Sequence, residues 1–189
     1  MTVLVLVRVD RSHWREGIGR SLLEQGLKSL RQRGVRKEQL GGGGPAYFWP
    51  GVPTNLPEAW SFFSSCGWRE QERSFDLIGD LEEYTSLPVV YQRIRMPEVV
   101  ILGSSCIVVP QEGRWEVLTG PGTAELGPLG VAEPYRENGI GLAIAARVTE
   151  RMQTRGLRKG FIGWTWLVDW YGRLGYRVFQ EYIMSWKDL

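Results

Sequence analysis

The sequence predicts an α/β protein built from two copies of one strand–turn–helix unit. Three observations predict it: an internal repeat, two helical stripes of apolar residues, and an apolar run ahead of each stripe. The repeat is weighed first, because a fixed period redirects every later reading. Val9, Trp14, Arg15, Glu16, Gly17, Ile18 and Gly19 match Val131, Arg136, Glu137, Asn138, Gly139, Ile140 and Gly141, each pair 122 residues apart. The same separation joins Arg33-Gly34-Val35-Arg36-Lys37 to Arg155-Gly156-Leu157-Arg158-Lys159.

The elements follow in chain order. Val3–Val9 is an apolar run that reads as a strand. Ile18, Leu22, Leu23, Leu27 and Leu30 then form one apolar stripe, the signature of an amphipathic helix. Gly34 sits where a left-handed residue stops a helix. The Gly- and Pro-rich segment from Gly41 to Pro57 reads as loop. Ala59 to Trp68 is a second landmark, and Glu70–Ile78 a closing strand. A linker is expected over Leu81–Pro97, with strands at Val99–Val109 and Trp115–Thr119 around the turn Gln111–Gly113. The second copy then runs through an expected strand at Leu126–Val131 and a helix striped by Ile140, Ile144, Val148 and Met152. Leu167 to Tyr176 repeats the second landmark 108 residues on, before a last strand at Arg177–Trp186. The halves divide as 1–84 and 85–189. The first half lacks the two strands that precede the motif strand in the second. It reads as a truncated copy or as a half-domain completed by its neighbour. An unpaired edge there would be sticky, so a homodimer, or tight packing of the two copies, is expected.

Composition removes several classes of function. With 189 residues, 43% hydrophobic and 23% charged, the chain reads as globular. A net charge of +2 with scattered basic residues argues against a nucleic-acid partner. No apolar run is long enough to span a membrane, and Met1 leads into Val3–Val9 without a basic segment or cleavage site. Cys66 and Cys106 stand in unlike contexts, and the single His13 has no ligand partners, so neither a disulfide framework nor a metal site is expected. A reducing, cytoplasmic setting follows. Trp164, Trp166 and Trp170 cluster late in the chain, as core or as a pocket wall.

A strand entering a helix through Gly-x-Gly presents free backbone N–H groups where the helix carries positive partial charge, which suits phosphate. Arg136 can add a charge-assisted contact. A dinucleotide fingerprint wants a third small residue three positions on; here that position is Ile144, or Leu22 in the first copy. No Gly-Lys-Ser/Thr follows, which excludes a P-loop.

Arg136-Glu137-Asn138-Gly139-Ile140-Gly141 resembles the Gln/Arg-x-x-Gly-x-Gly/Ala motif of the GNAT superfamily of N-acetyltransferases. Leu167 to Tyr176, with Tyr171 and Gly175, resembles that family's later Tyr-x-x-x-Gly-Phe/Tyr signature. The resemblance is good over 98–186 and looser over 1–80. It implies a mixed, mostly antiparallel sheet flanked by helices, and acetyl-CoA as cofactor. The pyrophosphate would rest on the backbone amides of Arg136, Glu137, Asn138, Gly139, Ile140, Gly141 and Leu142. The pantetheine would run along Leu129 and Val131. The acyl group would pass directly to a primary amine on a small molecule or peptide. Tyr171 would protonate the departing thiolate, and Glu125, eleven residues before Arg136, would be the base. Glu133, Glu137 and Asp169 are alternative carboxylates. The family often has Asn seven residues before the Tyr; this chain has Trp164 there, so the amine must be oriented differently. In the first copy Arg136, Tyr171 and Glu125 correspond to Trp14, Phe63 and Val3. The site is therefore expected in the second copy, with the first a structural partner. The competing reading is a non-catalytic CoA-binding or interaction module.

Overall fold

The computed structural model describes residues 7–42, 49–92, 107–108 and 116–189. In chain order the elements begin with helix α1 (Ile18–Gln32), strands β1 (Lys37–Gln39) and β2 (Val52–Pro53), helix α2 (Pro57–Ser65) and strand β3 (Glu72–Asp80). Helix α3 (Pro88–Gln92), strand β4 (Ile107–Val108), helix α4 (Glu116–Thr119) and strand β5 (Thr123–Leu126) follow. Helix α5 (Ile140–Thr154), strand β6 (Lys159–Thr165), helix α6 (Val168–Gly172) and strands β7 (Arg177–Met184) and β8 (Trp186–Asp188) complete the chain. This is a mixed α/β architecture with a mostly antiparallel sheet flanked by helices. Among the described residues no helix is long and apolar enough to cross a membrane, and no group of His, Cys, Asp and Glu is placed to hold a metal.

The chain packs as two compact units, Met1–Ser74 with Gln180–Leu189, and Phe75–Phe179. In the first, α1 turns Leu23 and Leu27 toward Leu40, Val52 and Trp68. Each such leucine, fully buried, contributes roughly 1.5–3 kcal/mol. Strand β1 pairs antiparallel with β8, and β2 with the distal part of β7 through Val52↔Ile183 and Pro53↔Tyr182. A side chain at Gly51 would run into the Ile183 carbonyl, so glycine is what lets this pairing close.

In the second unit, residues 75–80 of β3 lie antiparallel to β6, β6 lies parallel to β5, and β5 antiparallel to β4. Helix α5 covers this sheet with Ala143, Ala145, Ala146, Val148 and Met152, all buried. The three alanines allow close approach of helix to sheet. Gly79 and Gly160 pair across β3 and β6, and the Tyr176 ring lies over both. The Tyr176 hydroxyl meets Thr149 Oγ1 at 3.1 Å, so the ring is buried without an orphaned polar atom.

Two elements differ from expectation. The strand placed at Leu126–Val131 is β5, and it ends at Leu126. Gly127 and Pro128 follow, and proline has no N–H to extend a ladder. The strand placed at Trp115–Thr119 is a single helical turn, Glu116–Thr119, stopped by Gly120 at φ 84°. Of the expected strand Val99–Val109 the described part is β4, and most of Val3–Val9 lies outside the described residues.

Candidate functional site

The second unit holds a cleft of about 710 Å³ between the segment after β5, the start of α5, and α6. Its making begins in the sheet. Strands β5 and β6 pair in parallel from Thr123↔Lys159 to Glu125↔Phe161, and no further. Beyond that point Leu129, Gly130 and Val131 line the cleft instead of continuing the ladder.

The chain then turns into α5. Arg136 Nε donates to the Val131 carbonyl at 3.0 Å, and Asn138 Nδ2 donates to the Arg136 carbonyl at 3.0 Å. Glu137 takes φ 65° and Gly139 φ 79°, both left-handed. Glycine adopts that region without the steric cost other residues meet. Gly139 is the N-cap and has no side-chain cap, so it leaves the helix's opening N–H groups uncapped where Gly139, Gly141 and Leu142 line the cleft. A side chain at Gly141 would come within 3.3 Å of Trp170 and 3.4 Å of Val131. That glycine therefore lets the α6 aromatic seat against the turn.

Tyr171 is only 6% exposed and stands edge-on to Trp170, ring centroids 4.7 Å apart. Burial raises its phenol above the ordinary value, which keeps the proton on Oη. Glu125 is half-buried on β5; burial first, and the Asp76 carboxylate second, raise it above the usual carboxylate range. Glu133, Glu137 and Asp169, the other carboxylates the sequence offers, are exposed.

Of the residues singled out from sequence, Leu129, Val131, Arg136, Glu137, Gly139, Gly141, Leu142 and Tyr171 share the cleft wall. Glu125, Asn138 and Ile140 do not. Ile140 is 7% exposed and belongs to the core, Asn138 braces the turn, and Glu125 faces Gly163 and Asp76. Sequence reasoning missed Arg173 and Tyr135 on the wall, while Trp170, read there as core or pocket wall, lines it. Arg173 lies inside the later landmark, where a second cation beside a phosphate cradle was open to be noticed.

The first unit carries a turn of the same backbone shape. Arg15 and Gly17 take φ 70° and 81°, where Glu137 and Gly139 take 65° and 79°. Trp14 Nε1 donates to the Val9 carbonyl at 3.0 Å, as Arg136 Nε does to Val131. Gly19 is backed by Phe62 and Val9, as Gly141 is by Trp170 and Val131. The indole spends its one N–H on that bond, whereas Arg136 keeps its two terminal nitrogens.

No family model matches the chain, and no curated protein matches it. Solved structures do. A fungal GCN5-related glucosamine N-acetyltransferase region within a multi-domain GH3 β-N-acetylglucosaminidase superposes over 98% of this chain with TM-score 0.83 at 23% identity. This chain spans 29% of that one. A GCN5-related N-acetyltransferase from Sphaerobacter thermophilus gives TM-score 0.62 at 15% identity, over 95% of this chain and 70% of its own. A tandem GNAT protein from the clavulanic acid biosynthesis pathway gives 0.60 at 13%, over 98% of this chain and 74% of its own. The chain thus has the GCN5-related N-acetyltransferase fold.

Proposed function

We propose that this chain is an acyl-CoA-dependent N-acyltransferase that acetylates a primary amine. The observation that carries the reading is the shared cleft: a glycine turn opening a helix N-terminus, two arginines and a buried tyrosine hydroxyl line one space. The turn's amides and the terminal nitrogens of Arg136 and Arg173 suit a pyrophosphate. The main chain of Leu129–Val131 lies on the cleft wall beyond the last β5–β6 pair, where it suits an extended amide-bearing arm added as a strand would be.

Acyl-CoA, bound there, supplies an activated acyl group. Glu125, behind the wall beside Gly163, is the carboxylate assigned to take the amine's proton, for which a raised carboxylate is suited. The amine nitrogen then bonds to the acyl carbon as the carbon–sulfur bond breaks, and Tyr171 Oη delivers its proton to the departing sulfur. The first half is a degenerate copy of the same unit. Its turn keeps its shape, but Phe63 stands where Tyr171 stands and offers no proton.

The neighbour described as a glucosamine N-acetyltransferase region makes glucosamine the first acceptor to test. Calorimetric titration with acetyl-CoA, beside thiol release with an amine panel, tests the reading. Micromolar binding at one site per chain and amine-dependent thiol release support it. Binding without release from any amine would instead indicate a CoA-binding module, and no binding by folded protein would remove the CoA site.

A further inference from the structure

Trp164 stands on β6 where the family resemblance would place an Asn. A carboxylate from elsewhere in the chain meets it there. Asp76, on β3, is 2% exposed, and its Oδ1 accepts from the Trp164 N–H at 2.8 Å. That bond sits at an irregularity: the β3–β6 register shifts between Phe75↔Thr165 and Leu77↔Ile162, and Trp164 takes φ 48°. A left-handed tryptophan is strained and persists only where its surroundings hold it. Gly163, next to it, faces two carboxylates. A side chain there would meet Glu125 Oε1 at 3.4 Å and Asp76 Oδ1 at 3.8 Å.

We infer that Asp76 is a positioning residue of this site: it fixes the backbone of Trp164 and shares one niche with Glu125, so that the proton acceptor is a two-carboxylate unit. The catalytic meaning of the pair rests on the acyltransferase reading; the pairing itself does not. Two carboxylates facing one side-chain-free position resist being ionised together, so the first proton binds more readily than to either alone. The other described neighbours of Glu125 do not compensate. Strand β6 presents Phe161 and Gly163, and its Lys159 ammonium donates to the Thr119 carbonyl. Asp76 is the one described charge that acts on Glu125. In the transfer, Glu125 takes the amine's proton, while Asp76 holds the Trp164 N–H that borders the same niche.

Asp76→Asn separates the two roles, because asparagine retains an oxygen for the Trp164 N–H and loses the charge. The test is carboxyl ¹³C NMR of full-length protein, with Glu125 and Asp76 assigned through the backbone. In Asp76→Asn the Glu125 midpoint shifts downward; an unchanged or raised midpoint in the folded variant overturns the inference. Should Asp76→Asn not fold, Glu125→Gln gives the reciprocal reading. Coupling then requires the Asp76 midpoint to fall, and an unmoved one overturns the pair. With acetyl-CoA and glucosamine as probes, the acid limb of kcat/KM moves to lower pH in Asp76→Asn. If the NMR shift appears while no amine is acetylated by the wild type, the pair stands and the acyltransferase reading falls.

Discussion

At the scale of single residues, Tyr171 and its counterpart Phe63 differ by one oxygen, and the proposal turns on that oxygen. Tyr171→Phe keeps the ring against Trp170, so the variant should fold and bind acetyl-CoA as the wild type does. Loss of the proton donor should lower kcat by about 10²-fold. A thiol-release assay at saturating acetyl-CoA reads the difference, and an unchanged kcat would remove Tyr171 from the chemistry. The buried phenols also set an alkaline limit. Burial first raises Tyr84, Tyr91, Tyr171 and Tyr176 above their common reference of 10.0. The unfolded chain loses these protons near that reference, while the folded chain holds them to higher pH. The unfolded state is therefore the one favoured as pH rises, and stability present below pH 10 is lost above it. Urea midpoints at pH 8 and pH 10.5 should show a fall, and Tyr176→Phe should reduce its size.

At the scale of the element, the turn into α5 separates shape from charge. Gly139→Ala forces a Cβ into the left-handed region and should cost roughly 1–2 kcal/mol. Gly17→Ala, at the matching angle on α1, should cost about as much by the same argument. Only the Gly139 variant should weaken acetyl-CoA binding in calorimetry. If both weaken it, the first half also binds CoA. Arg136→Lys keeps a charge but loses the Nε bond to the Val131 carbonyl, and should weaken binding with little change in midpoint. Much of this turn was legible in the sequence, because Gly17/Gly139 and Gly34/Gly156 are local signals for a helix start and stop. The strand limit was less so: Leu126, Leu129 and Val131 look alike in hydropathy, and Pro128 decides the matter by lacking an N–H. That Trp14, aligned with Arg136, makes the matching hydrogen bond was not legible, since nothing in residue type says that an indole N–H will take the place of a guanidinium Nε.

At the scale of the whole molecule, the governing fact is which strand closes which sheet. Periodicity identifies a strand but not its partner, so neither the β3–β6 pairing nor the placement of Asp76 beside Trp164, 88 residues away in sequence, was readable beforehand. Strand β3 follows the first landmark, yet its residues 75–80 pair in the second unit. Residues 180–189 follow the second landmark, yet pair with β1 and β2 in the first unit. Each sequence half thus gives away the strand that closes its own unit. Fragments 1–84 and 85–189, made separately, would each carry a strand with no partner and a sheet edge with no cover. Neither should unfold cooperatively alone, whereas co-expression should restore a soluble complex. The intact chain should melt in a single calorimetric transition, with calorimetric and van't Hoff enthalpies equal, because strands β3 and β7 each belong partly to one unit and partly to the other. Two resolved transitions, or two fragments that each fold alone, would mean that the exchanged strands contribute little.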